Sequence, residues 1–394
     1  MGLEFLDRLK NELKPDTEEA LRVAQSIKSL LGLDLKLYGS VAKGTNLRGD
    51  YDLDMFYETN GDKHKGFEDI LNAVKVRGLD YMIKYSEHPY VKVRYMGYNI
   101  DLVPISSTHR SAVDRTPLHY RYVISKLDDN KRDEVRLLKR FMKTLGLYGA
   151  DNRVNGFSGY LCELLIIKYG DFLSVLESAS KWKIPVRIEL ETKSEREFSD
   201  PMIVIDPTDA NRNAGAAVSL STLSRFIIYS KGFIKSPSEQ YFHIGRENRS
   251  GEFGVLLSNP YELEDKSYGM LRRIGKAWRD YLEKNKIFIE YLHVLVRDKY
   301  AYIGGIPIMS KIQYAELTPG PSVDIFERLE TGYLKDERFY IPRYFINDID
   351  NLTEKFISDH NLRGFSVIKI GYDLPEFRDM LEVEYWREKM LLRI

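Results

Sequence analysis

The chain has 394 residues, 59 basic side chains against 59 acidic ones, 43% hydrophobic and 30% charged residues, and a single cysteine, Cys162. That length exceeds one usual core, so roughly two to four soluble globular domains are expected; one cysteine excludes intrachain disulfides and zinc–cysteine clusters and fits a reducing cytoplasm. No apolar run approaches about 18 residues, so no transmembrane helix is supported, and the neutral charge balance means that any nucleic-acid surface must be local.

The chain opens on Met1-Gly2-Leu3-Glu4-Phe5-Leu6, which has neither the basic start of a signal peptide nor the Ser or Thr that myristoylation wants at position 6. Asp16-Thr17-Glu18-Glu19 reads as a helix start, an acidic cap with Glu three residues on, and Leu21, Ala24, Ile27, Leu30 and Leu31 then recur at helical spacing. Strands are predicted near 34–38, 51–57, 90–95 and 98–105, giving an α/β head that ends near residue 118. Between the first two strands runs Gly39-Ser40-Val41-Ala42-Lys43-Gly44-Thr45, and Asp52 and Asp54 follow two apart in an apolar strand. Period two puts both carboxylates on one face. Paired acids repel unless a cation lies between them, and backbone N–H groups of a Gly-Ser turn can hold phosphate oxygens. Asp101, the one acid in the apolar strand Tyr98–Ile105, is the best third ligand, because burying it without a partner is costly. Three carboxylates on neighbouring strands can hold two Mg²⁺ ions, so the stretch suggests a site that moves a nucleotidyl group. Asp50 shares the parity of Asp52 and Asp54 but lies in an Arg-Gly-Asp turn and reads as a strand cap.

Residues 131–145 form an amphipathic helix, with Val135, Leu138, Met142 and Leu145 on one stripe and Arg132, Arg136, Lys139, Arg140 and Lys143 on another. Such a basic stripe is usually a solvated face; beside a triphosphate site it gains a second use in phosphate contact. Residues 157–182 read as helical, with Tyr160, Leu164, Ile167 and Leu173 on the buried side, and 217–231 as a further apolar helix. From about residue 250 the pattern becomes α+β: a strand at 253–257, a helix carrying Arg272, Arg273, Lys276 and Arg279, and alternating segments near 287–296, 300–308 and 366–370. The 27 Tyr residues are mostly core or interface in this reading, with stacking on unpaired bases or ribose as a second use.

Gly-Ser, Gly-Thr and Asp-x-Asp in this order resemble the nucleotidyltransferase superfamily that includes DNA polymerase beta and the poly(A) polymerases. Later segments narrow the likeness. Ala112–His119, Asp133–Lys139, Gly146–Ala150, Gly156–Leu165 and Asp206–Asn213 are similar, in order, to blocks of the archaeal, class I CCA-adding tRNA nucleotidyltransferases, and Gly320-Pro321-Ser322-Val323 more loosely resembles a tail segment. The resemblance implies a polymerase-beta-like head (1–118), a helical-rich central neck and nucleotide-binding domain (119–246), and an α+β C-terminal body and tail (247–394) that binds tRNA. It implies addition of C, C and A to a tRNA 3′ end from CTP and ATP without a nucleic-acid template, with Mg²⁺ held by Asp52, Asp54 and Asp101. Gly39, Ser40, Lys43 and Thr45 would hold phosphate, together with His119, Lys139 and Tyr148, and Arg212 would present or read the incoming base. The tRNA would be gripped at its acceptor stem and TΨC arm by shape, with the basic helix 271–286 a candidate surface, and dimerisation through the C-terminal region is implied too. The family's usual Arg before Gly-Phe-Ser-Gly-Tyr is Asn155 here; Arg153 lies two residues earlier. Two other readings compete: a different nucleotidyltransferase of the superfamily, such as a poly(A) polymerase or a 2′-5′ oligoadenylate synthetase, and an inactive RNA-binding relative, which would have little reason to keep three metal-binding acids together.

Overall fold

The computed structural model describes residues 3–59, 62–85, 88–106, 111, 113–322, 333–335 and 338–392; Ala112 and Val323, at the edges of two of the family-like segments, lie outside them. Two compact units divide the chain, one built from residues 1–244 with 390–394 and the other from Gly245–Lys389.

The first unit begins with helices α1 (Glu4–Leu13) and α2 (Glu18–Leu31) and a five-stranded sheet: β1 (Leu35–Tyr38), β2 (Leu53–Thr59), β3 (Tyr81–Tyr85), β4 (Pro89–Tyr95) and β5 (Tyr98–Ser106) in the order β1-β2-β5-β4-β3. A short helix, α3 (Gly39–Lys43), leaves β1, and α4 (Lys63–Val76) joins β2 to β3. Ala20, Val23 and Ile27 of α2 and Ile70 and Val74 of α4 bury Leu53, Met55, Val91, Ile100 and Leu102 on one face of the sheet. The opposite face is therefore left for polar work.

The rest of this unit is mainly helical: α5 (Thr116–Lys126), α6 (Asp129–Thr144), α7 (Gly159–Tyr169), α8 (Phe172–Ala179) and α9 (Leu220–Lys235), with short strands β6 (Val186–Ile188), β7 (Met202–Asp206) and β8 (Asp209–Asn213). Phe141, Phe172, Phe233, Tyr241 and Phe242 pack at ring-centroid distances of 5.3–6.1 Å to form its aromatic core. The single helix expected over 157–182 is two helices. Gly170 takes φ +99°, a conformation that stops α7 without strain only because no Cβ is present, and the Asp171 carboxylate accepts from Ser174 N at 2.7 Å to start α8. Nor is α7 one-sided: Leu161 through Ile166 are all buried, whereas Tyr160, Ile167 and Leu173 are only partly so.

The second unit holds a four-stranded sheet in the order β10-β11-β9-β15, made of β9 (Phe253–Ser258), β10 (His293–Arg297), β11 (Tyr300–Gly305) and β15 (Ser366–Tyr372). Against it lie α10 (Glu264–Lys284) and α11 (Ile349–Asp359), around a core of Phe253, Leu271, Trp278, Ile303 and Phe356. The Trp278 indole donates to Thr353 Oγ1 at 3.0 Å. A second sheet, β12 (Lys311–Ser322), β14 (Arg338–Asp348) and the short β13 (Tyr333–Lys335), was not anticipated. α12 spans Arg378–Leu392.

Candidate active site

The polar face of the first sheet carries a row of charged side chains fixed by strand register. Tyr38 of β1 pairs with Asp54 of β2, Asp54 with Asp101 of the parallel β5, and Asp101 with Lys92 of β4. Neighbouring strands lie about 4.8 Å apart, so these side chains are adjacent. Asp52 was expected inside the strand; β2 begins at Leu53, and Asp52 lies just before it, exposed. The ladder begins only after the Arg48–Asp50 turn has closed, and this frees Asp52 from sheet geometry.

Gly39 packs directly on Asp54: a Cβ at position 39 would stand 1.8 Å from Asp54 Oδ2, and the residue has φ +71°. Only glycine meets both conditions. Burial, then the charges of Asp101 and Asp52, push the Asp54 carboxyl up to about 7, against the pull of Lys43 and Lys92. Burial raises Asp101 as well, opposed by Lys92. Lys92 Nζ stands 3.3 Å from Asp101 Oδ1, yet off the hydrogen-bond direction, so that this buried oxygen has no hydrogen-bond partner. Among the described residues no three His, Cys, Asp or Glu side chains stand grouped as a metal site. An orphaned buried carboxylate oxygen and two mutually repelling acids nonetheless fit a divalent cation, which would satisfy the one and neutralise the other.

Beside this row the loop 39–45 is held from behind by α6. Arg132 Nε donates to Lys43 O at 3.0 Å, Arg136 Nη1 to Gly44 O, and Lys139 Nζ to Thr45 O at 2.9 Å. Spacings of four and three keep the three cations on one helix face. The basic stripe is thus largely a buried clamp: Arg136 is 4% exposed and Lys139 2%. Arg140 donates to Phe242 O, and Lys143 pairs with Asp50 at 2.8 Å, so Asp50 has a partner on α6. Glu163 of α7, fully buried, completes the clamp; it accepts from Lys43 Nζ at 2.5 Å and Thr45 Oγ1 at 2.6 Å, with Lys139 Nζ 3.9 Å away. Burial alone would raise Glu163, but Lys43 and Lys139 outweigh it and hold the carboxyl below its usual range. Thr45 and Lys139 are accordingly engaged within the protein. Ser40 is half-buried, and Tyr148 has its ring 5.9 Å from Lys143 Nζ.

One turn earlier on α7, Tyr160 shares the face of Glu163. Its ring stacks on His119 of α5 at 4.0 Å, and its hydroxyl donates to Asp206 at 3.0 Å. Asp206 also accepts from His119 Nε2 at 2.9 Å and Arg212 Nη1 at 2.6 Å. His119 and Arg212, 93 positions apart, meet on that carboxylate. Asn155 has φ +49°, and Arg153 Nε lies 3.9 Å from Asp151.

Sequence reasoning missed Glu163, Asp206 and Lys92. Glu163 had a signal, an acid among Leu161, Cys162, Leu164 and Leu165 where only a buried partner makes sense. Asp206 opens a turn in which it accepts from Thr208 N, so it reads locally as a turn former.

A glycine turn packed on a strand row of acids, with a clamp of cations behind it, defines a nucleotidyltransferase. Family models agree: a nucleotidyltransferase domain matches residues 20–127, and the second domain of tRNA nucleotidyltransferases matches 133–243. The CCA-adding enzyme of Methanocaldococcus jannaschii is 34% identical over 93% of this chain and 93% of its own length, and that of Saccharolobus shibatae is 43% identical over 66% of this chain and 68% of its own. The chain belongs to the CCA-adding enzyme family. Its superfamily generally uses divalent metal ions.

Proposed function

We propose that the chain adds C, C and A in turn to the 3′ end of tRNA, from CTP and ATP and with no nucleic-acid template. The 3′-hydroxyl oxygen bonds to the α-phosphorus, the bond to the β-phosphate bridge breaks, and pyrophosphate leaves. The observation that carries this reading is the register row Asp54–Asp101–Lys92 with Gly39 seated on Asp54. Asp52, Asp54 and Asp101 are the residues that would hold Mg²⁺, and Asp101 is the group placed to take the hydroxyl proton. Bound Mg²⁺ makes the hydroxyl more acidic and offsets charge on the triphosphate and the leaving pyrophosphate. Gly39, Ser40 and Lys43 face the phosphates, with His119 and Tyr148 as further donors. Thr45 and Lys139 hold the loop, and Lys139 lends charge from behind it. Arg212, 27% exposed at its side chain, presents the base.

Residues 1–118 act as the catalytic head, 119–246 as the nucleotide-binding neck, and 247–394 as the tRNA-binding body and tail, gripping acceptor stem and TΨC arm. The protein works in the cytoplasm as a homodimer. No helix among the described residues is long and apolar enough to cross a membrane.

The test is extension of tRNA transcripts ending before CCA, after C and after CC, given Mg²⁺ with CTP, ATP or both. Stops at C, CC and CCA, with ATP used only after CC, are expected. A long A-tail, or binding without extension, would overturn the reading.

A further inference from the structure

We propose, on the functional reading above, that Asp206 commits His119 to meet the triphosphate as an imidazolium, so that each nucleotide bound brings one proton with it.

Donors and acceptors around the imidazole decide its protonation. Asp206 is fully buried. Its Oδ1 accepts from Tyr160 Oη at 3.0 Å, Thr208 N at 2.9 Å and Thr208 Oγ1 at 2.8 Å; its Oδ2 accepts from His119 Nε2 at 2.9 Å and Arg212 Nη1 at 2.6 Å. A carboxylate so crowded with donors has no place for a proton and acts only as acceptor. The hydrogen of neutral His119 therefore sits on Nε2. Arg212 Nη1 also stands 3.3 Å from Nε2 and can only donate, but its bond to Asp206 Oδ2 is the shorter at 2.6 Å, so the carboxylate and not the ring is its acceptor. The other ring nitrogen, Nδ1, makes no hydrogen bond among the described residues. The His119 side chain is 10% exposed, which leaves room for a ligand at that edge of the ring. In the neutral ring Nδ1 is a lone pair, which repels a phosphate oxygen. Only a second proton turns it into a donor.

Four groups face the ring: Asp206 from β7, Arg212 from β8, Tyr160 from α7 and Lys43 from α3. In the empty protein, burial and the charges of Arg212 and Lys43 hold the ring's proton affinity down against the pull of Asp206. A triphosphate carrying one Mg²⁺ keeps roughly two net negative charges, which offset those two cations and let the proton on. Lys43 Nζ lies 5.9 Å from the Tyr160 ring that stacks on His119, which sets the imidazole beside the phosphate loop.

The experiment is calorimetric titration of the full-length protein with ATP and Mg²⁺, without tRNA, near pH 8, in two buffers of different ionisation enthalpy. Wild type is expected to take up about one proton per ATP. In Asp206→Asn the Oδ1 contacts persist and the amide donates to Nε2, freeing the neutral Nδ1–H form, so ATP binds with uptake near zero. His119→Asn loses the uptake and much of the affinity, while Thr208→Val, which disturbs only the other oxygen, keeps the uptake. Between the free-state and bound-state pKa of the ring, where one proton is taken up, KM for CTP and for ATP should rise about tenfold per pH unit in wild type, with KM for tRNA flat. Binding by wild type without uptake, or equal uptake by wild type and Asp206→Asn, overturns the inference alone. Failure of wild type to bind ATP would sink the functional reading with it.

Discussion

A side chain at position 39 would collide with the acid it faces, and this makes the loop and the acid row one object. Gly39→Ala is expected to displace Asp54 and lower kcat by about a hundredfold or more, since small misplacements at a reacting centre are that costly. Gly49→Ala is the control: its φ is +84°, but nothing lies within 4 Å of an added Cβ, so it should cost about 1 kcal/mol of stability and little activity. Asp54 also carries a pH signature. Its folded pKa is raised to about 7, so the stability it contributes is present below the ordinary carboxylate range and lost as pH rises through about 7. Thermal unfolding in EDTA should show the wild-type midpoint falling between about pH 4 and pH 7 and level above, with Asp54→Asn flatter and Mg²⁺ restoring the wild type; a flat wild-type profile would refute this. At this scale, Asp54 and the Gly39 turn could be read from period-two spacing and one glycine, and Asp101 from the cost of a lone acid in an apolar strand; the same spacing put Asp52 inside a strand that begins only at Leu53. Lys92 could not, because only the β4–β5 register brings it to Asp101.

The clamp between α6 and the loop is the working element. Arg136→Met should cost about 1–3 kcal/mol by leaving Gly44 O unpaired, and hydrogen exchange should quicken at the amides of residues 41–46 while the sheet amides hold. Glu163→Gln strands two buried ammonium groups on one amide and should cost about 3–5 kcal/mol. Because Lys43 and Lys139 hold Glu163 below its usual range despite burial, its stabilisation is present above the ordinary Glu pKa. It is lost as pH falls through the lowered value, so the variant should also show a shallower acid limb in urea unfolding. The helix itself was legible from its apolar stripe. The meaning of the opposite stripe was not, since the carbonyls it grips lie 89 to 94 positions away. The α7–α8 break was legible in principle at Gly170-Asp171, where an unbroken apolar pattern masked it.

A chain with no net charge cannot hold a polyanion by its overall field. Arg272, Arg273 and Lys276 lie exposed on α10. Their triple change to Glu should weaken tRNA binding at least tenfold and flatten the salt dependence, by about 0.7–0.9 in log–log slope for each phosphate no longer neutralised. KM for ATP should not move; unchanged tRNA affinity would remove this helix from the binding surface. Four strands of the first sheet, helices α2, α6 and α9 and the α+β character of the second unit were legible, because hydrophobic period and motif order are local; α1, α4, α5, β3 and β6–β8 were not anticipated. The β12–β14 ribbon was not: Pro319, Pro321 and Pro342 argue against strands. Pro319 and Pro321 are tolerated because β12 is an edge strand, and Pro342 because β13 pairs only with Arg338–Tyr340 and leaves it a single strand alongside.

The three cations of α6 impose a rule of phase on the gene. Arg132, Arg136 and Lys139 meet three consecutive carbonyls, and each added residue turns a helix by about 100°. A codon inserted between 132 and 139 swings at least one cation about 100° round the helix and unhooks the loop. The flanks are fixed for a separate reason: Leu127, Leu145 and Leu147 are buried core residues. Drift in length is therefore closed to this protein within α6 and at the residues that bracket it.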